Sequence, residues 1–168
     1  MPDPVVAVVI PVFNEHAVLP ELFARLAALF DGGHGCAWRA VLVDDGSRDD
    51  SAALIRAQSQ RDPRFELVEL SRNFGFQAAL TAGLAHARGA DAIVTMDADL
   101  QDPPELIPQL VAAWRGGAEV VRAMRRTRAE KGLRRAGFDA FHALFGRVSD
   151  FPIESNAGTF GLIGRHAV

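Results

Sequence analysis

The chain has 168 residues, of which 49% are hydrophobic and 23% are charged, and its formal net charge is -3. These values fit one folded domain with a buried core; they exclude a disordered chain and argue against a general nucleic-acid binder. The single cysteine excludes an internal disulfide, and no apolar run approaches the roughly 20 residues of a membrane-spanning helix, so we expect a soluble intracellular protein.

The first element is an apolar run rich in valine, Val5 to Val12, which is followed by Phe13, Asn14 and Glu15. A continuous apolar run of this length predicts a strand that is buried on both faces. Leucine and phenylalanine then recur at helical spacing from about residue 17 to residue 30, which predicts a helix that ends before a glycine pair.

The second strand is predicted at residues 40–43 and is followed by the turn Asp44-Asp45-Gly46-Ser47. Gly46 suits a tight turn, and either Ser47 or Asp49 can cap the helix that follows. A third strand is predicted at residues 65–70. The segment Arg72-Asn73-Phe74-Gly75 then leads into a helix of about residues 77–87, whose alanine and glycine content favours close packing on the sheet.

The fourth strand, an apolar run from Ala92 to Met96, ends at two carboxylates one residue apart, Asp97 and Asp99. In an extended chain these two side chains would project to the same side, at the strand end where α/β proteins bind ligands. Two like charges held this close favour a hard divalent cation, to which Gln101 would add a neutral oxygen. The alternative, that the acids only cap the next helix, remains open at this point.

A helix of about residues 105–114 and a strand near residues 119–122 follow. Strands that alternate with helices, each strand ending in polar residues, predict an α/β fold with a mostly parallel sheet flanked by helices. Proteins of this fold class perform several different functions. A receiver-like signalling domain needs a lysine at a strand end, but the only lysine of the chain is Lys131, so the sequence argues against this class. The glycine-rich loops of dinucleotide-binding proteins and of phosphate-loop proteins are absent, which argues against these two classes as well.

Four ordered motifs resemble the family-2 glycosyltransferases of GT-A fold, in particular the polyprenyl-phosphate branch that contains dolichyl-phosphate mannose synthase and undecaprenyl-phosphate glucosyltransferase. The similarity extends from about residue 5 to residue 128. The motifs are Pro11-Val12-Phe13-Asn14-Glu15, Asp44-Asp45-Gly46-Ser47, Arg72-Asn73-Phe74-Gly75 and Asp97-Ala98-Asp99-Leu100-Gln101-Asp102-Pro103-Pro104-Glu105.

The resemblance implies a metal-dependent, inverting hexosyltransferase that uses a UDP- or GDP-sugar donor and a polyprenyl-phosphate acceptor. Asp97 and Asp99 would be catalytic, and with Gln101 they would hold Mg²⁺ or Mn²⁺ at the diphosphate. Arg125 and Arg128 would face phosphates, although a solvated basic face is the alternative. The resemblance implies nucleotide binding by Pro11, Asn14, Glu15, Asp44, Asp45 and Asp97.

The sequence also predicts how the domain is organised. Residues 1–128 would form the nucleotide-sugar-binding core, and residues 129–168 an amphipathic, acceptor-side segment of the same domain, shortened relative to family members that continue into transmembrane helices. Within residues 132–148, leucine and phenylalanine fall on one helical side with lysine and arginine around them. This pattern fits a helix at the inner face of the cell membrane, or a core helix with extended arginines.

The chain departs from the family pattern near its end. Relatives typically carry Ala-Gly-Asp-Phe-Arg where this chain has Ala157-Gly158-Thr159-Phe160-Gly161. Thr159 is not a carboxylate base, and Asp150 or Glu154 are the candidates to replace it. Two alternative functions therefore stay open: a nucleotide-sugar-binding module without turnover, and a family-2 enzyme with a carbohydrate acceptor.

Overall fold

The computed structural model describes residues 2–124 and 157–167. These residues contain strands and helices in alternation up to residue 124. The strands are β1 (Val5–Val12), β2 (Ala37–Asp44), β3 (Phe65–Glu69), β4 (Ala92–Thr95), β5 (Val120–Met124) and β6 (Ala157–Gly164). The helices are α1 (Leu19–Asp31), α2 (Ser51–Arg61), α3 (Phe76–His86) and α4 (Ile107–Arg115), with short 3-10 helices at Pro104–Leu106 and Arg165–Ala167.

The strands form one sheet in the order β3-β2-β1-β4-β6-β5. Strand β1 pairs in parallel with both β2 and β4, β2 pairs in parallel with β3, and β6 pairs antiparallel with β4. The predicted fold class, a mostly parallel sheet flanked by helices, is therefore confirmed. Among the described residues, no helix is long and apolar enough to cross a lipid bilayer.

The chain divides into two compact units, residues 1–121 with 159–168, and residues 122–158. The first unit contains the helices, strands β1 to β4 and most of β6. Of the second unit, the structure describes residues 122–124 and 157–158. The predicted organisation into residues 1–128 and 129–168 stays a prediction.

Helix α3 packs against the sheet through small residues, glycine and alanine. A Cβ atom added to Gly83 would lie 2.4 Å from Cγ1 of Val9 and 2.9 Å from Cγ2 of Val43, so only glycine permits this approach. Ala79 and Ala87 on the same helix are fully buried. The close packing predicted from the alanine and glycine content of this segment is present, and it fixes the loop before α3 near the ends of β1 and β2.

The ends of three strands meet at one edge of the sheet. Val12 at the end of β1 lies opposite Asp44 at the end of β2, and Val9 of β1 lies opposite Thr95 at the end of β4. The polar segments that follow these strands are therefore neighbours in space although they are far apart in sequence.

Candidate functional site

A cleft of about 320 Å³ lies at this edge of the sheet. It is lined by the end of β1, the start of α3 and the turn after β4. Four of its lining residues carry carboxylates, namely Glu15, Asp45, Asp97 and Asp99, and among the described residues no lysine or arginine lines it. These carboxylates favour a cation, or a ligand that brings one.

The turn after β4 brings the two predicted metal ligands to the cleft. Strand β4 ends at Thr95, and the chain turns at Ala98 and Asp99, with Leu100 at a positive φ of 58°. The expectation that Asp97 and Asp99 belong to one extended segment is wrong, because this turn intervenes; both residues nevertheless line the cleft. Asp99 is exposed, and its Oδ1 accepts a hydrogen bond from the backbone N–H of Gln101 at 3.0 Å.

Gln101 is not among the residues that line the cleft. Its side chain is exposed, and its backbone N–H donates to Oδ1 of Asp99. The structure thus brings Asp97 and Asp99 into the cleft and leaves the third predicted ligand, Gln101, beside it.

Asp45 holds the loop that precedes α3. The side chain is 3% exposed, and its two oxygens accept hydrogen bonds from the backbone N–H groups of Phe74 at 2.8 Å and Gly75 at 2.9 Å. A carboxylate at this position also lies at the favourable, positive end of the helix dipole of α3. Asp45 lines the cleft, so one residue connects the shape of this loop to the ligand space.

Asp44 and Asn14 were predicted to bind the nucleotide, but neither lines the cleft. Asp44 is 2% exposed; its Oδ2 accepts from the backbone N–H of Ser47 at 3.1 Å, and its Oδ1 has no hydrogen-bond partner among the described residues. Asn14 has a positive φ of 57°, and its Oδ1 accepts from the backbone N–H of Arg48 at 2.8 Å. Both side chains support the loops after β1 and β2.

Further hydrogen bonds join these two loops. The backbone N–H of Glu15 donates to Oγ of Ser51 at 2.9 Å, and the backbone N–H of His16 donates to Oδ2 of Asp49 at 3.2 Å. Burial acts to raise the pKa of Asp49, but hydrogen bonds from Ser51 and His16 outweigh burial and hold the pKa well below its usual range. Asp49 is therefore an ionised anchor for the loop that carries Glu15.

Glu15, which lines the cleft, has a raised pKa. Burial raises its pKa, and the negative charges of Asp99 and Asp49 raise it further. Glu15 and Asp99, which both line the cleft, therefore repel each other when both are ionised. A bound cation would relieve this repulsion.

The carboxylates fit a divalent metal ion that is shared with a ligand. Among the described residues, no three histidine, cysteine, aspartate or glutamate side chains form a group that could hold a metal ion. Mg²⁺ is commonly held by only one or two carboxylates together with substrate phosphates and water, and Mn²⁺ also accepts oxygen ligands. Asp97 and Asp99 therefore suit a metal that arrives with, or is completed by, a diphosphate.

Two aromatic side chains in the cleft were missed by sequence reasoning. Phe13 is 42% exposed and Phe76 is 39% exposed, and both line the cleft together with Asn73. The available signal was the position of Phe13, directly after a buried strand where the chain leaves the core. Arg72 packs its guanidinium 4.5 Å from the centre of the Phe74 ring and is not a lining residue.

Some predicted features lie outside the described residues. These are the two arginines expected to face phosphates, Arg125 and Arg128, and the amphipathic segment of residues 132–148. The candidate bases Asp150 and Glu154 also lie there.

Comparison with known proteins identifies relatives over nearly the whole chain. Residues 7–167 match the family described as Glycosyl transferase family 2. The chain is 39% identical over 164 residues to the prophage bactoprenol glucosyl transferase homolog of Escherichia coli, covering 97% of this chain and 53% of that protein. It is 43% identical over 145 residues to the undecaprenyl-phosphate 4-deoxy-4-formamido-L-arabinose transferase of Salmonella paratyphi A, covering 86% of this chain and 44% of that protein.

Among solved structures, the mannosyltransferase PcManGT from Pyrobaculum calidifontis, in complex with GDP-Man and Mn²⁺, matches with a TM-score of 0.62 at 22% identity. The match covers 99% of this chain and 47% of the mannosyltransferase. At this identity the similarity concerns the fold. The chain spans about half the length of the curated relatives that it matches.

Proposed function

The chain belongs to glycosyltransferase family 2 and has the GT-A fold, and from this premise we propose that it transfers a hexose from a UDP- or GDP-sugar to a polyprenyl phosphate. The observation that carries the proposal is the convergence of Asp97 and Asp99 with Glu15 and Asp45 in one cleft at the carboxyl edge of the sheet. The similarity to a bactoprenol glucosyl transferase homolog and to an undecaprenyl-phosphate transferase supports the acceptor class.

The donor nucleotide would occupy the part of the cleft between β1 and α3. The exposed rings of Phe13 and Phe76 offer apolar faces for a base, and the nearby Asn73 offers both a donor and an acceptor. Pro11, at the end of β1, and Glu15 complete this wall. A carboxylate such as Glu15 is a suitable acceptor for ribose hydroxyl groups.

The diphosphate would lie at the turn after β4, where Asp97 and Asp99 would hold Mg²⁺ or Mn²⁺. When bound, the metal supplies positive charge that stabilises the departing nucleoside diphosphate. The protein keeps both carboxylates at one turn, and Asp99 is oriented by the N–H of Gln101. In the transfer, the bond from the anomeric carbon to the diphosphate breaks and a bond from that carbon to an acceptor oxygen forms, with inversion.

A phosphate acceptor reduces the need for a base. The second pKa of a phosphate monoester is near 6, so the acceptor is mostly a dianion at neutral pH and can attack without losing a proton. This suits a chain in which the side chain that contacts Asp97 from β6 is Thr159, which is not a base. Arg125 and Arg128 are proposed to face the phosphates, and residues 129–168 to approach the inner face of the membrane where such an acceptor is found.

Ligand-dependent thermal stability tests the donor site. We expect UDP or GDP to raise the melting temperature only when Mn²⁺ is present, since a ligand at a hundred times its Kd stabilises a protein by about 2.7 kcal/mol. Asp99→Asn keeps the shape of the side chain and should abolish the shift. Asp3→Asn, at an exposed residue outside the cleft, is the matched control and should preserve it.

Transfer of labelled hexose to undecaprenyl phosphate then tests turnover. Transfer by the wild type, but not by Asp99→Asn, supports the enzyme. Metal-dependent nucleotide binding without transfer would instead support the binding module, for which the absence of a carboxylate at position 159 is the favouring observation. If neither nucleotide shifts the melting temperature with Mn²⁺, the proposed donor site is wrong.

A further inference from the structure

Thr159 connects strand β6 to the acidic turn of the cleft. Its hydroxyl Oγ1 donates a hydrogen bond to Oδ1 of Asp97 at 2.9 Å. Its backbone carbonyl accepts a hydrogen bond from Oγ1 of Thr95, the last residue of β4, at 2.5 Å. Thr159 therefore contacts both the end of the strand that leads into the turn and the first carboxylate of the turn.

The position of Thr159 is fixed by the packing of β6. Strand β6 pairs antiparallel with β4, with Gly161 opposite Thr95. The next residues towards the core, Phe160 and Leu162, are 2% and 0% exposed. A side chain on a strand anchored in this way presents its hydroxyl at a defined place, because Thr also has few χ1 rotamers.

A hydrogen bond from Thr159 has a direct effect on the geometry of Asp97. The terminal torsion of an aspartate side chain has a broad energy profile, so the carboxylate plane is set by its hydrogen bonds. A hydroxyl donating to a carboxylate makes a charge-assisted bond, which is stronger than one between neutral groups. With Oδ1 held by Thr159, the carboxylate plane of Asp97 is restrained at the cleft.

We propose that Thr159 is a positioning residue that orients Asp97 for the metal-bound diphosphate of the donor, so that β6 is part of the donor site. This inference rests on the proposed function, because it requires that Asp97 acts on a metal and nucleotide. The hydroxyl adds no charge beside Asp97. Thr159 therefore acts on the donor side through Asp97, and not as a base for the acceptor.

The test distinguishes the effect of the Thr159 hydroxyl group from the effect of the shape of the side chain. Thr159→Val preserves the branched shape and removes the donor, whereas Thr159→Ser preserves the donor and removes a methyl group. The measurement is the Kd of Mn²⁺ by calorimetry, at a fixed concentration of whichever nucleotide stabilises the wild type. Loss of a hydrogen bond that orients a metal ligand typically weakens metal binding about 10- to 100-fold, and we expect this for Thr159→Val.

Thr159→Ser should bind Mn²⁺ within about threefold of the wild type, because its hydroxyl restores the bond to Asp97. Thr81→Val on α3 makes the same chemical change outside the cleft and should leave the Kd unchanged. Melting temperatures without ligand show whether each variant is folded.

Two results would overturn the inference while leaving the proposed function intact: equal Mn²⁺ affinity of Thr159→Val and the wild type, or equal weakening by Thr159→Ser and Thr159→Val. Absence of metal-dependent nucleotide binding in the wild type itself would overturn both the inference and the proposed donor site.

Discussion

The acidic residues around the cleft differ in role because they differ in the backbone groups within their reach. Asp45 accepts hydrogen bonds from two N–H groups of the loop before α3, one on each oxygen, whereas Asp99 accepts from one N–H and stays exposed. A carboxylate that already accepts two strong hydrogen bonds has less capacity for a ligand. We therefore expect Asp45 to act mainly by shaping the cleft and Asp99 to act on the ligand itself.

The ionisation of Asp49 makes the stability of the fold depend on pH. The folded-state pKa of Asp49 is held below its usual value. The contribution of Asp49 to the free energy of unfolding is therefore fully present above the unfolded-state pKa of about 3.9, and it is lost as the pH falls through the folded-state pKa. We predict that Asp49→Asn lowers the free energy of unfolding by about 1–3 kcal/mol at pH 7, as for hydrogen bonds to a charged group. Urea denaturation at pH 7 and at lower pH measures this.

The difference between Asp49→Asn and the wild type should shrink as the pH is lowered below about 4, because the unfolded wild type then binds a proton at Asp49 that the folded protein does not bind. Asp50→Asn serves as the control, since Asp50 is adjacent and exposed and makes no capping hydrogen bond to α2. A difference for Asp49→Asn that stays constant from pH 7 to pH 3 would show that the charge of Asp49 is not the source of the stabilisation.

At the scale of whole loops, the shape of the cleft depends on close backbone contact between the loop after β2 and the loop before α3. Gly46 has a φ of 67°, and a Cβ atom added there would lie 2.4 Å from the backbone carbonyl carbon of Arg72. We predict that Gly46→Ala destabilises the protein and weakens nucleotide binding, because the loop held by Asp45 must move. Overpacking of this kind typically costs about 1–3 kcal/mol, in addition to the strain of the positive φ.

Gly33→Ala is a matched control for Gly46→Ala. Gly33 has the same φ of 67°, but an added Cβ atom meets nothing within 4 Å. The difference in unfolding free energy between the two variants therefore isolates the contact between the loops. Equal destabilisation of both variants, with unchanged nucleotide affinity, would show that the contact does not matter.

Local sequence patterns predict the strand at the start of the chain, β1, but not the strand near its end, β6. The apolar run of β1 predicts its observed bounds, because a strand buried on both faces has no polar interruption. Strand β6 was not predicted: it contains three glycines, and its pairing with β4 is a contact between residues far apart in sequence. The four motifs predicted the edge at which the cleft lies, since parallel strands align their carboxyl ends.

The sequence did not predict which of the site residues line the cleft and which bond to the backbone of a loop. Whether a carboxylate faces the cleft or a backbone N–H depends on tertiary contacts between loops. Asp44 and Asn14 illustrate this, because neither lines the cleft: Asp44 accepts from the N–H of Ser47 in its own loop, and Asn14 accepts from the N–H of Arg48 in the loop after β2. The hydrogen bond from Thr159 to Asp97 joins residues 62 positions apart and has no local signature.

At the scale of the whole molecule, charge is separated along the chain. Between Arg115 and Arg147 there are nine basic and three acidic residues, although the chain as a whole carries a net charge of -3. The described lining of the cleft, by contrast, carries four carboxylates. A basic segment with leucine and phenylalanine on one helical side is typical of a helix that lies at an anionic membrane surface.

We predict that the protein binds vesicles containing anionic lipid and that Arg134→Glu with Arg135→Glu removes most of this binding. Each basic residue near such a surface contributes about 1 kcal/mol, so loss of two alone weakens partitioning roughly thirtyfold. Co-sedimentation with vesicles of increasing anionic lipid content measures the effect, and added salt should reduce it. Arg61→Glu with Arg88→Glu makes the same charge change at exposed residues outside this segment and should retain binding. Equal loss in both double variants would point to overall charge, and binding to neutral vesicles alone would contradict an electrostatic contact by this segment.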